Sequence, residues 1–307
     1  MNDFRQTLIG IGAIMASSAC FITNDTLMKL ASSDLPLGQV MLVRGLIASA
    51  LIMAVAWHFR AFHGARQHLT GLFGLRTLGE VGAMVLYLTA LFHMPIANST
   101  AIMQIVPLMM TAAGAVFLGD KVGWRRWGAV AVGFAGILII VRPGAEGFNI
   151  FSILALGAAV SVTLRDLATR RFPPSMPTLL VTAITTVVVM LVGGVISAGQ
   201  AVSGTQFQPL TLEVLLLLTG SACFVLGGYT MVIVAMRHGD TLTVAPFRYT
   251  QVLWAIVAGF LIWGQVPEPL TFLGIAIVVG SGIYTVQRER IRQRAEKRAA
   301  TALITNR

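Results

Sequence analysis

Long apolar stretches and short polar breaks alternate along the entire chain. The breaks are rich in Gly, Pro, Asp and basic residues, which favour turns over continued helix. The apolar stretches cover residues 7–30, 37–57, 69–92, 96–118, 124–142, 149–169, 177–198, 210–235, 241–263 and 270–286. Because a helix needs about 20 mostly apolar residues to cross a bilayer, this pattern predicts an all-α, polytopic membrane protein with ten transmembrane helices.

Composition supports this interpretation and excludes several classes of function. Hydrophobic residues make up 56% of the 307 positions and charged residues 11%, whereas a soluble domain carries about 25% charged residues. The chain contains no phosphate-binding loop of an ATPase. Its five histidines lie at the ends of the predicted helices, whereas a membrane-embedded protease needs them at depth. We therefore expect no enzymatic activity, no metal, no cofactor and no nucleic-acid partner.

The basic residues are distributed unevenly between the two sides of the predicted membrane. With the N-terminus inside, sixteen of the 22 Lys and Arg residues fall on the cytoplasmic side, and two, Lys29 and Arg142, fall outside. The remaining four lie within spans. This bias satisfies the positive-inside rule and predicts a bacterial-type inner-membrane protein with both termini in the cytoplasm. The basic tail, residues 287–307, is expected to meet water or anionic lipid.

The chain also repeats itself at a nearly constant distance. Asp25 and Pro36 recur 141 positions later as Asp166 and Pro177. Further matches, at separations of 145 and 146 positions, are Ala90 with Ala235, His93 with His238, and Gly136 with Gly282. Similar spacing in separate parts of the chain indicates an internal duplication.

The duplication predicts two repeats of five helices, residues 1–142 and residues 143–286, followed by the tail. Because five is odd, the second repeat enters the membrane from the opposite side. Such inverted repeats are typical of secondary transporters, whose substrate site lies near the midplane where the halves meet.

Residues at the end of the first repeat resemble a known transporter family. They read Phe117-Leu118-Gly119-Asp120-Lys121-Val122, then Trp127-Gly128, then Gly133-Phe134-Ala135-Gly136-Ile137, and the earlier segment 90–97 is similar to the family too. This pattern resembles the drug/metabolite transporter superfamily, EamA type. The second repeat departs from it, with Trp263-Gly264-Gln265-Val266 where an acidic residue is usual. The resemblance implies an exporter of amino acids or related metabolites and, at its finest, an aromatic amino-acid exporter of the YddG type.

Polar residues inside the predicted helices are the candidate site, because a charge at the bilayer centre costs at least ~2.5 kcal/mol. The candidate substrate-binding residues are Glu80, Tyr87, Gln104, Arg248, Tyr249 and Trp254. For an amino acid, Arg248 would hold the carboxylate and Glu80 the amine, while the aromatic residues would form an apolar wall. Other interpretations stay open, since aromatic side chains also anchor helices at the membrane interface.

Four further charged residues are candidates for charge pairs or gates: Asp25, Arg44, Arg76 and Asp166. Arg76 and Glu80 are four residues apart on one helix, so they share a face and can pair. Asp25 and Arg44 lie in the outer third of the membrane, and the repeat places Asp166 in the inner third. The alternative is that charges near helix ends reach the nearest interface without any role in gating.

The sequence therefore predicts a secondary transporter that exports amino acids, aromatic or neutral, or similar metabolites by alternating access. A carrier of nucleotide sugars, cofactors or drugs is the first alternative. A lipid flippase or a non-transporting scaffold is the second. Proton coupling and oligomeric state stay open.

Overall fold

A computed structural model describes residues 2–58, 70–120, 122–142, 149–173, 176–238 and 241–305 of the chain. The predicted boundary between the repeats, at residue 143, lies outside these ranges. Within them the secondary structure is helical, with no strand. Ten segments are long and apolar enough to cross a membrane, which confirms the predicted number of spans.

The helices are numbered here by the ten spans. They are α1 (Asn2–Ala31), α2 (Leu37–His58), α3 (Gly71–His93), α4a (Ile96–Met103), α4b (Val106–Phe117), α5 (Trp124–Val141), α6 (Phe151–Arg170), α7 (Thr178–Val202), α8 (Leu212–His238), α9a (Thr241–Val244), α9b (Thr250–Trp263) and α10 (Pro269–Thr305). A helix satisfies all of its backbone hydrogen bonds internally, which is the requirement that hydrocarbon imposes on a spanning segment. The side of the membrane where α1 begins is called the N-terminal side below.

Two spans that the sequence predicts as continuous are interrupted. The fourth breaks between α4a and α4b, where Gln104 and Ile105 donate their backbone N–H groups to carbonyls only three residues earlier. Pro107 follows and has no N–H to donate to Met103. The ninth contains a 3₁₀ segment, Ala245–Tyr249, with Pro246 near its start. Gln104 at the first break and Tyr249 at the second are buried in the bundle.

Helix packing follows the predicted duplication. The most extensive contacts are α1 with α8, α2 with α7, α3 with α6, and α5 with α10. Exchanging each helix for the one five places along the chain converts the first pair into the third and leaves the other two pairs unchanged. The pattern is therefore the one expected for two inverted five-helix repeats.

The buried side chains of the bundle are both apolar and polar. The largest buried cluster joins α4a, α4b, α5, α9b and α10 around Ile105, Leu108, Ile137 and Val278. Buried polar side chains, Asp25 among them, lie on α1, α2, α6 and α8, and also on α4a, α7 and α10. Helix α10 continues past the predicted span to Thr305, and its 37 residues are about 55 Å long, well beyond the bilayer core of about 30 Å.

Candidate functional site

The first group of membrane-embedded charges joins α3 to α6, and it is called the α3–α6 cluster. Arg76 Nη2 lies 3.3 Å from Glu80 Oε2, as the four-residue spacing predicts. Arg165 Nη1 approaches both carboxylate oxygens of Glu80, at 3.4 and 3.5 Å, and Arg165 Nε donates to Asp166 at 2.8 Å. Glu80 lies about 14 Å along α3 from Gly71, so the cluster reaches the middle of the membrane from the N-terminal side.

A glycine allows this cluster to form. A Cβ atom at Gly79 would lie 3.0 Å from the backbone nitrogen of Arg165 and 3.0 Å from the carbonyl oxygen of Ser161. Only a residue without a side chain permits α3 and α6 to approach this closely. The close approach places Glu80 beside Arg165, a partner that the sequence interpretation did not name.

The second group lies nearer the opposite side of the membrane, and it is called the α1–α8 cluster. Asn24 donates to Asp25 at 2.8 Å and accepts from Ser221 at 2.7 Å. Arg44 donates to Ser221 at 3.1 Å and to Asn24 at 3.3 Å. Tyr87 donates to Asp25 at 2.6 Å and thereby ties α1 to α3. The predicted pairing of Asp25 with Arg44 thus takes an indirect form, because Asn24 lies between them.

The two clusters occupy equivalent positions of the two repeats. The separation of 141 relates Asn24 to Arg165 and Asp25 to Asp166, and the separation of 145 relates Arg76 to Ser221. The same backbone positions therefore carry polar groups at both ends of the bundle. Asn24 was missed as a site residue, although it precedes a repeated Asp in the sequence.

Tyr229 on α8 lies within electrostatic range of both clusters. Its side chain packs edge-on against Phe21, with ring centroids 5.3 Å apart. The hydroxyl lies deep in the protein and within electrostatic range of Glu80, Arg165, Arg44 and Arg76, yet 55% of the residue is exposed. Tyr229 therefore presents exposed surface within electrostatic range of charged residues from both clusters.

The other predicted substrate residues lie at the helix breaks. Gln104 is buried, at the junction of α4a and α4b. Arg248 is exposed in the 3₁₀ segment of the ninth span, and Trp254 on α9b is 39% exposed. Tyr249 is buried with its hydroxyl against Gly282 of α10, where a Cβ atom would collide with it. The hydroxyl of Tyr249 therefore faces α10, away from the charge clusters.

A separate cavity of about 190 Å³ lies on the opposite side of the membrane. Its lining includes Asn98, Arg142, Gln265 and Glu268 at the ends of α4a, α5 and the loop before α10. Arg142 Nη1 and Glu268 Oε2 form an ion pair of 2.6 Å there. This cavity contains none of the predicted substrate residues. We place the candidate site at the charge clusters because they unite buried charge with the accessible Tyr229.

The chemistry of the clusters is that of binding. Arginine guanidinium groups hold carboxylate or phosphate, and carboxylates hold ammonium groups. Among the described residues, no group of three or more His, Cys, Asp and Glu side chains could hold a metal ion. What the arrangement offers is fixed positive and negative charge beside an aromatic ring.

Comparison with known proteins identifies the family. The EamA-like transporter family matches residues 8–142 and 149–286. The chain is 32% identical to a riboflavin transporter of Vibrio cholerae, over 98% of this chain and 100% of that protein. It is 26% identical to an S-adenosylmethionine uptake transporter of Rickettsia bellii, over 94% and 98% of the two chains.

A third relative and a solved structure agree with this result. The chain is 25% identical to the pseudopaline exporter CntI of Pseudomonas aeruginosa, over 89% of this chain and 94% of that protein. A protein crystal structure of 17% sequence identity superposes with a TM-score of 0.60 over 92% of this chain and 97% of its own, which shows the shared fold. The chain belongs to the EamA-like transporter family and is a membrane transporter of small metabolites, not an enzyme.

Proposed function

We propose that the protein carries small zwitterionic metabolites, amino acids and compounds bearing an amino-acid group, across the bacterial inner membrane by alternating access. The observation that carries this proposal is the α3–α6 cluster, in which two arginines and two carboxylates lie beside the accessible Tyr229. A zwitterion needs a cation for its carboxylate and an anion for its ammonium group. The cluster supplies both within one site.

The pairing within the cluster suggests how a substrate enters. Glu80 is shared between two arginines at 3.3–3.5 Å, longer than the usual 2.7–2.9 Å of a charge-assisted hydrogen bond. A substrate carboxylate competes with Glu80 for an arginine, and a substrate ammonium group then takes the place of that arginine at Glu80. Such an exchange keeps every buried charge paired, which limits the cost of binding.

The residues selected from the sequence have proposed roles in this scheme. Glu80 holds the substrate amine, Tyr87 contributes to the aromatic wall, and Gln104 offers an amide at the break in the fourth span. Arg248 is a second candidate for the carboxylate, with Tyr249 and Trp254 beside it. Asp25 and Arg44 at one end, and Arg76 and Asp166 at the other, are proposed to gate the two sides.

The names of the relatives support a metabolite of this kind without fixing it. One relative is named for uptake of S-adenosylmethionine, a compound that contains an amino-acid group. Another is named an exporter, so the relatives include both directions of transport. Export, the YddG-type specificity for aromatic amino acids and the cytoplasmic location of both termini are part of the proposal.

A carrier of riboflavin or a similar cofactor precursor is the second candidate. The 32% identity to the riboflavin transporter, which extends over that protein's full length, favours it. Riboflavin has no ammonium or carboxylate group, so its recognition would rest on aromatic and amide side chains. Under this alternative, removing the charge of Glu80 would affect transport far less than removing an aromatic side chain.

Counterflow in proteoliposomes tests both candidates. Wild-type protein is loaded with unlabelled Phe, Trp, Met, Thr, S-adenosylmethionine or riboflavin, and uptake of the labelled compound is followed. We expect exchange of one or more amino-acid compounds, with loss of exchange in Glu80→Gln and Arg248→Ala and full exchange in Glu268→Gln. Exchange of riboflavin alone, unaffected by Glu80→Gln, would overturn the zwitterion proposal and support the second candidate.

A further inference from the structure

Lys29 joins three helices on the opposite side of the membrane. Its Nζ atom donates to the carbonyl oxygen of Leu91 at 2.6 Å and to that of Met94. The same ammonium group lies 5.5 Å from the centroid of the Trp263 ring. Lys29 belongs to α1, the two carbonyl groups lie at the C-terminus of α3, and Trp263 is the last residue of α9b.

These contacts are favourable for a general reason. The last carbonyls of a helix lack partners within the helix and carry the negative end of its dipole. A cation from another helix that binds them caps the helix and ties the two helices together. Lys29 therefore holds α1 against the end of α3, and the hydrogen bond from Tyr87 to Asp25 joins the same helices about one turn deeper.

The duplication assigns equivalents to Lys29 and Leu91. The separation of 141 that relates Asp25 to Asp166 also relates Lys29 to Arg170, a cation at the end of α6. The separation of 145 that relates His93 to His238 relates Leu91 to Met236, in the last turn of α8. The equivalent contact would thus join Arg170 to the end of α8 on the N-terminal side.

Within the described residues, which leave out 239 and 240, Arg170 makes a different contact. Arg170 Nη1 instead lies 3.5 Å from Asp120 Oδ2, and both side chains are about half exposed. On the opposite side Lys29 thus ties α1 to the end of α3, whereas on the N-terminal side Arg170 pairs with Asp120.

We infer that Lys29 and Arg170 are alternating latches, each of which closes one side of the transporter by capping the helix end opposite it. In the state described here Lys29 is engaged and Arg170 is released. In the other state Arg170 binds the terminal carbonyls of α8, and Lys29 leaves those of α3. This inference deepens the proposed function, since it assigns positioning residues to the alternating-access step.

In its released position Arg170 pairs with Asp120, and the weakness of this pair allows Arg170 to move to the end of α8. Its pair with Asp120 is long and half exposed, and exposed pairs contribute only about 0–1 kcal/mol. Leaving Asp120 therefore costs little. The neighbouring Arg171 donates to the carbonyl oxygen of Phe117 at 2.7 Å and corresponds to Leu30 in the first repeat. Arg171 is thus a matched control, a basic residue at the same helix end without an equivalent latch.

Distance measurements between spin labels can test the latches without a known substrate. In a background lacking the two native cysteines, one label pair at Ser33 and Ile150 reports the separation of α1 and α6 on the opposite side. A second pair at Leu164 and Ile233 reports the separation of α6 and α8 on the N-terminal side. All four positions are exposed.

The expected result begins with Lys29→Met, which removes the first latch. The population of molecules in which the Ser33 and Ile150 labels are far apart should rise about tenfold or more, which is the effect of losing one charged hydrogen bond. The distance between the Leu164 and Ile233 labels should shorten. Adding Arg170→Met should lengthen the latter distance again, because the second latch is then absent. Adding Arg171→Met should leave it short, and Lys29→Arg should behave as wild type.

Two outcomes would overturn the inference. One is that Lys29→Met lowers thermal stability without moving either distance, which would make Lys29 a structural cap only. The other is that Arg170→Met and Arg171→Met have the same effect in the Lys29→Met background. Since the distances are independent of substrate, shifts of the expected sign in a protein that exchanges no amino-acid compound would retain the latches and reject the proposed substrate.

Discussion

The α1–α8 cluster and the α3–α6 cluster occupy equivalent positions in the two repeats but have different chemistry. In the first, Asn24, Asp25 and Ser221 are at most 8% exposed and are joined by short hydrogen bonds. In the second, the side chains of Glu80 and Arg165 are 21% and 23% exposed, and their ion pair is 3.4 Å long. In the α1–α8 cluster the uncharged Asn24 and Ser221 separate Asp25 from Arg44, whereas in the α3–α6 cluster the charged groups contact one another directly and are more accessible.

This difference teaches how a symmetrical fold gains a direction. The inverted repeat supplies two similar sets of positions, and the residues at those positions decide what each set does. Asn24 donates to its neighbouring Asp as Arg165 does, but only arginine can also bind Glu80 across the helix pair. We therefore expect substitutions in the α3–α6 cluster to affect transport. Substitutions in the α1–α8 cluster should affect the balance between the two alternating-access states.

The largest effect is expected from Glu80→Gln. Loss of this carboxylate leaves Arg76 and Arg165 without their shared partner in the membrane, and the substrate amine loses its proposed ligand. We expect exchange to fall about 100-fold and stability to fall by about 2–3 kcal/mol. Counterflow measures the first quantity, and thermal unfolding in detergent measures the second.

Asp166→Asn is the matched control for this substitution. Asp166 contacts the same Arg165 but its side chain is 38% exposed, so water replaces much of the lost interaction. Its effect on exchange should be at least tenfold smaller than that of Glu80→Gln. Equal effects would show that the cluster acts through its net charge, and not through a specific ligand.

A smaller effect is expected from Tyr87→Phe in the α1–α8 cluster. The change removes one hydrogen bond to Asp25 and leaves the ring in place. In membrane proteins such a bond contributes about 1 kcal/mol, so the population closed on the opposite side should fall severalfold. The label pair at Ser33 and Ile150 measures this shift. Tyr284→Phe on α10 is the control, and an equal shift there would contradict the assignment.

Ser221→Ala should have a smaller effect still. The serine hydroxyl donates to Asn24 and accepts from Arg44. Its loss therefore removes two hydrogen bonds from the α1–α8 cluster without removing a charge. We expect stability to fall by about 0.6–1 kcal/mol, with exchange nearly unchanged. Ser203→Ala, at the exposed end of α7, should lower stability less. A loss of exchange as large as that of Glu80→Gln would place substrate in this cluster.

Much of the fold follows from the sequence because lipid leaves few choices. Ten apolar stretches must become ten helices when no water can satisfy the backbone, and the repeated Asp25 and His93 indicate which helices are equivalent. The interruptions of the fourth and ninth spans were not predicted. A proline predicts some distortion, but whether it bends the helix or divides it depends on the neighbours that accept the freed groups.

The candidate site was predicted less completely than the fold. Glu80 and Arg76 share one helix, so their contact follows from spacing. Arg165 reaches Glu80, and Ser221 reaches Asn24, only through the packing of α6 on α3 and of α8 on α1, which local sequence does not specify. Tyr249 shows the same limit, because its orientation toward Gly282 depends on α10. The sequence indicated such long-range contacts in one way only, through the alignment of the two repeats.

The smallest effect is expected from Glu268→Gln, beside the cavity of about 190 Å³ on the opposite side. Glu268 pairs with Arg142 at 2.6 Å, but its side chain is 68% exposed, so water screens the interaction. Exposed pairs of this type contribute about 0–1 kcal/mol, and we expect stability within about 0.5 kcal/mol of wild type and unchanged exchange. Counterflow on protein matched for folded fraction provides the measurement. If Glu268→Gln instead abolished exchange while Glu80→Gln did not, the substrate site would lie in that cavity. The α3–α6 cluster would then be a structural link between the two helices.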